Sequence, residues 1–124
     1  MIEDTLDGAP AGEPLLELAR RATHALAAHS VADPERRLAR ERLIAATPAL
    51  QARRLSKSLR WEQAIAARLV ERGSTEREAL LVPKLALACF QAAHERWVRR
   101  PGQDLPALVN ESFADLAGLA VSGT

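Results

Sequence analysis

Cys89, the single thiol of the chain, lies five residues before His94 in a stretch rich in alanine and leucine. On a helix a spacing of three or four brings side chains together and a spacing of five does not. A thiolate–imidazole nucleophile is therefore not built there, and Cys89 reads as a small buried hydrophobe. His24 and His29 have the same spacing of five and no acid placed to complete a metal site. His29, near a predicted helix end, suits the negative end of the helix dipole. One cysteine allows neither an internal disulfide nor a zinc site on paired cysteines. There is no glycine-rich phosphate loop, and Ser30, Ser56, Ser58, Ser74, Ser112 and Ser122 lack the context of a nucleophile elbow. These readings predict no enzyme activity, no cofactor and no metal.

Charge and aromatic placement carry more. Residues 34–60 hold Arg36, Arg37, Arg40, Arg42, Arg53, Arg54, Lys57 and Arg60 against only Glu35 and Glu41, a local +6 in a chain whose net charge is +1. Residues 1–17 hold five acids and no base. No aromatic residue interleaves the arginines and no helix-turn-helix pattern surrounds them, so the segment reads as a solvated face opposite acidic neighbours, with nucleic acid or an anionic ligand head group as alternatives. Trp61-Glu62-Gln63 in mid-helix is the remaining constellation. A buried indole needs an acceptor for its N–H, and Ala64 and Ala66 leave space beside it, which reads as core packing or the wall of a pocket.

The elements that position these residues follow from a composition of 25 Ala and 19 Leu with only four aromatic residues, Trp61, Trp97, Phe90 and Phe113. Ala and Leu favour helices, and strands want β-branched and aromatic side chains, so the prediction is all-α: an antiparallel bundle of about five helices. Leu15, Leu18, Ala22 and Leu26 stripe a helix over about 14–29. Asp33-Pro34 and Thr47-Pro48 each read as a cap with proline at the first helical position, opening helices that run to about Ala46 and Gly73. Thr75 and Glu78 form a capping box for a helix to about Arg100 that Pro83 either kinks or splits. Asp104 caps the last helix, striped by Leu105, Leu108, Val109, Phe113, Leu116 and Leu119. Residues 1–12 read as linker, 13–121 as one domain and 122–124 as a disordered tail. No apolar run reaches the ~18 residues of a membrane span, and the acidic start is unlike a signal peptide, which predicts a cytoplasmic protein with no membrane contact.

Several stretches together resemble the C-terminal ligand-binding domain of the tetracycline-repressor (TetR) family of transcriptional regulators. The run from Arg42 to Arg53 through Thr47-Pro48 looks like the family's helix–bend–helix, and Trp61 to Ala66 looks like the next helix of a branch that senses acyl-CoA-like ligands. Leu87 to Trp97 and Asp104 to Phe113 are similar to that branch's two closing helices, so the resemblance covers about residues 13–120. It implies an effector-binding and dimerisation domain of a repressor, with a small hydrophobic or acyl-CoA-like ligand. Family members begin with a DNA-binding helix-turn-helix domain that nothing here resembles, so DNA would be bound only through a missing N-terminal domain. A complete chain would instead be a stand-alone dimeric ligand binder. The alternative class is a helical dimerisation or interaction module without a ligand.

Candidate residues follow. Trp61, Ile65, Leu85, Cys89 and Phe90 are the expected pocket lining, where two apolar stripes face one another beside the carbonyl that Pro83 frees. The stretch from Leu80 to Ala93 is apolar on nearly every face and needs cover, which a partner subunit would supply. The expected homodimer interface is Ala88, Ala92, Ala93, Leu105, Leu108, Phe113 and Leu116. The chain by itself should bind duplex DNA weakly, without sequence preference, and lose it at moderate salt, because only unspecific phosphate contacts from Arg36 to Arg60 are available. A filter-binding salt titration checks this, and tight, salt-resistant binding to one particular duplex would contradict it.

Overall fold

The computed structural model describes residues 5, 6, 8, 9, 12–30, 33–100 and 102–122. Among the described residues five long helices follow in order: α1 (Leu15–Ser30), α2 (Pro34–Ala46), α3 (Pro48–Glu71), α4 (Glu76–Arg99) and α5 (Leu105–Ser122). Among the described residues there is no strand, and no helix is long and apolar enough to cross a membrane. The fold is all-α, as composition predicts.

Local chemistry sets the boundaries. Asp33 accepts from the amide of Arg36 and starts α2 with proline in its first turn. Thr47 opens α3 differently from the expected cap: its hydroxyl donates back to the carbonyl of Leu43 at 2.7 Å and makes no cap bond to α3. It finishes one helix and lends the next only its extended backbone, with Pro48 fixing the first turn. Gln51 reaches back to the carbonyl of Ala45 at 2.8 Å, meeting an acceptor that the end of α2 leaves open. Gly73 has φ +93°, and the amide of Ser74 closes onto the carbonyl of Leu69. The Thr75–Glu78 capping box is complete in both directions. At the far end, Asp104 accepts from the amide of Ala107.

Pro83 does not split its helix. α4 runs through it as one element with Pro83 buried, so the hydrogen bond it cannot donate is offset by packing. α4 packs against α1, α3 and α5, α1 also packs against α5, and α2 lies against α3. The core between them holds Leu18, Ala22, Ile65, Leu69, Ala86, Ala93, Trp97, Leu105, Val109 and Phe113. Arg20 of α1 donates to Glu17 and to Asn110 of α5 at 2.7 Å, tying the two helices beside this core.

The stretch expected as linker contributes to the core as well. Leu6 is fully buried, and Arg72 donates to the carbonyls of Leu6 and Ala9 at 2.8 and 3.2 Å. The linker expectation for residues 1–4, 7, 10 and 11 lies outside the described residues, as does the tail expectation for Gly123 and Thr124; Ser122 is the last residue of α5. A Cβ at Gly73 would meet no atom within 4 Å, so Gly73→Ala tests the backbone alone. The positive φ should cost about 1 kcal/mol, visible as a lower urea midpoint with an unchanged slope.

Candidate functional site

α3 and α4 run side by side, and Lys84 Nζ lies 3.6 Å from Glu62 across them. At the other end of this seam α2 brings in Glu41, whose side chain is 5% exposed. One of its oxygens, Oε1, faces three basic groups: Arg54 Nη2 of α3 at 2.5 Å, Arg37 Nε one turn earlier on α2 at 3.2 Å, and His94 Nε2 of α4 at 3.4 Å. Burial pushes the Glu41 carboxyl up, but the contacts with His94 and Arg54 outweigh it and hold it at about 2. Burial pushes the Arg37 guanidinium down, with Glu41 opposing. Arg37 Nε and His94 Nε2 are buried without a well-formed hydrogen bond. His94 stacks on Phe90 with ring centroids 5.9 Å apart and meets Trp97 at the same distance.

Four of the five expected pocket residues belong to or border the hydrophobic core. Ile65 and Cys89 are in the core, and Trp61 and Phe90 pack against it. Leu85 is half-buried. The indole N–H of Trp61 is buried and finds no acceptor. Two shallow depressions of the surface lie elsewhere. One follows α3 at Ala49, Ala52, Arg53, Ser56, Lys57 and Arg60, and the other lies between Thr5, Gly8 and Ala9 and α1 at Arg20, Arg21 and His24. Burial raises the Cys89 thiol above its usual range, which disfavours the nucleophilic thiolate. Among the described residues no group of three or more His, Cys, Asp or Glu is placed to hold a metal.

The expected dimer residues divide. Ala88 and Ala92 are exposed and Leu116 is half-buried. Ala93, Leu105, Leu108 and Phe113 are at most 4% exposed within the single chain, covered by its own helices, and so have almost no area left to bury against a second copy. The outward face of α4 instead carries Leu80 and Leu81 with Ala88 and Ala92, and that of α5 carries Ala107, Ala114 and Gly118 at helical spacing. Arg96 and Glu111, 3.3 Å apart, join these two helices at that surface.

Sequence reasoning passed over Glu41 and His94. The available signal was scarcity: Glu41 is one of two acids among eight bases in residues 34–60, with Arg37 four residues before it. The remaining bases of that segment, Arg36, Arg40, Arg42, Arg53, Lys57 and Arg60, are exposed, as expected of a solvated face.

A family model described as the MftR C-terminal domain matches residues 13–120. The chain is a TetR-family C-terminal domain. No curated protein matches it. In TetR-domain terms, the match takes in all five helices but the last two residues of α5, and Glu41, Trp61 and Phe90 all lie inside it.

The Glu41 junction has a pH signature. Its folded pKa of about 2 lies below the ordinary 4.5, so its contribution is fully present above that ordinary value and is lost as pH falls towards 2. Denaturant titrations between pH 6 and 2, values chosen to bracket about this window, should show a drop in stability that is smaller in Glu41→Gln. Equal drops in both proteins would remove Glu41 from the account.

Proposed function

We propose that this TetR-family domain is the effector-binding and dimerisation part of a cytoplasmic transcriptional repressor. DNA is contacted by a separate N-terminal helix-turn-helix domain, and the effector is a small hydrophobic or acyl-CoA-like molecule. The family match over residues 13–120 carries this reading. The seam of Trp61, Ile65, Cys89 and Phe90 between α3 and α4 supports it as the place for the ligand, with Leu85 at its margin. A ligand that binds one arrangement of α1 to α4 more tightly than another shifts the population of arrangements, and a paired domain passes that shift to two DNA-reading heads.

The partner surface is the outward face of α4 and α5. Ala88 and Ala92 let a second helix approach closely, and Leu80 and Leu81 on the same helix are more than half exposed in the single chain. Leu116 and the small residues Ala107, Ala114 and Gly118 extend this surface along α5. A two-fold axis through it makes one patch serve both copies. The second reading, a helical dimerisation module without a ligand, is favoured by the position of these two surface depressions away from Trp61 and Phe90.

Ala92→Arg separates a dimer from a monomer. Ala92 is exposed in the single chain, so the arginine leaves the fold intact but sets a charge in the contact, which costs several kcal/mol unless it reaches solvent. Sedimentation should give dimer for the unmodified chain at micromolar concentration and monomer for Ala92→Arg. A monomeric unmodified chain would contradict the dimer.

A further inference from the structure

The junction of α2, α3 and α4 has more donors than acceptors. Arg37, Arg54 and His94 converge on a single carboxylate oxygen, and two of these groups, Arg37 Nε and His94 Nε2, remain buried without a well-formed bond. Two permanent cations, Arg37 and the partly exposed Arg54, thus stand around one buried anion. Away from this end the seam turns apolar. Trp61 follows Arg54 by seven residues and Ile65 follows Trp61 by four, so all three share a face of α3. On α4 Phe90 stacks directly on His94. Trp61 adds a third buried donor without a partner. A cationic end that continues into an aromatic and aliphatic seam matches an amphiphile: an acid group on an apolar body.

Glu41 indicates which acid. The group that now bonds Arg54 and faces His94 is a planar carboxylate, held on α2, a helix that packs against α3 and reaches α4 through Glu41. Exchanging it for another carboxylate keeps the local charge as it is, whereas a neutral group would leave Arg37 and Arg54 facing no anion.

We propose that the effector is a carboxylic acid with an apolar body, whose carboxylate displaces that of Glu41 between Arg54 and His94 while its body lies along Trp61 and Phe90. This rests on the effector-binding reading and specifies both the ligand class and the residues that read it. Glu41 acts as an internal stand-in for the ligand. Its release frees α2 from α4, which couples occupancy to the position of α2. The thioester carbonyl of an acyl-CoA is uncharged and has no such exchange to make.

Calorimetric titration of the whole chain with decanoate, decanol and decanoyl-CoA tests the proposal. Decanoate should bind at least about tenfold more tightly than decanol, one 1.4 kcal/mol step. Arg54→Gln and, independently, His94→Gln should each erase that preference, and circular dichroism on both variants shows which of them keep the helical fold. Glu41→Gln, which weakens the internal competitor, should tighten decanoate several-fold and leave decanol unmoved; a purely structural Glu41 would weaken both or neither. Equal affinity for decanoate and decanol would overturn the carboxylate site and leave an apolar effector pocket standing. Tightest binding of decanoyl-CoA, insensitive to Arg54→Gln, would do the same. No binding of any of the three would overturn the inference together with the effector-binding reading beneath it.

Discussion

The architecture depends on covering α4. Ala79, Val82, Pro83, Ala86, Cys89, Ala93 and Trp97 of this one helix are all buried, a stripe too wide for a single neighbour to shield. α1, α3 and α5 share the task, and each presents its own apolar stripe to α4. The small side chains of Ala86 and Ala93 let the backbones come close, while Trp97 fills the volume at one end, so close approach and bulk alternate along the same axis. Pro83 is tolerated for the same reason. A helix held on three sides does not need every one of its own hydrogen bonds.

α2 is held by different means. Six of its 13 residues are charged, its Leu43 is exposed, and Ile44 is its one buried hydrophobic side chain among the described residues. What fixes it beyond its contact with α3 is the Glu41 junction, where attraction to Arg37, Arg54 and His94 outweighs the cost of burying the carboxylate. Apolar contacts are short-ranged and indifferent to small rotations; an ionic junction with one hydrogen-bonded arginine and two further basic groups around it favours one orientation. The helix with the least apolar anchoring therefore has the most specific one.

Most of the fold was legible in the sequence because its signals are local. Asp33, the Thr75–Glu78 box and Gly73 act within one turn of the boundaries they set, and each stands where its pattern predicts. Thr47 was read for its position and not for its hydroxyl, which turned to the preceding helix. What stayed hidden was contact over long separations. Leu6 in a glycine- and proline-bearing stretch, and Glu41 among arginines, look like solvent-facing residues until Arg72, Arg54 and His94 are brought to them. The burial of Ala93, Leu105, Leu108 and Phe113 was likewise visible as an apolar stripe, but periodicity cannot say whether such a stripe faces its own chain or another.

Arg72 sits where α3 ends, and its two N–H groups grip the carbonyls of Leu6 and Ala9. Those carbonyls belong to backbone, so the grip is indifferent to side-chain identity at the two positions and demands only that the segment keep its path. Leu6 is also buried in the core, so a shift of Arg72 at the end of α3 bears directly on the backbone at Leu6 and Ala9.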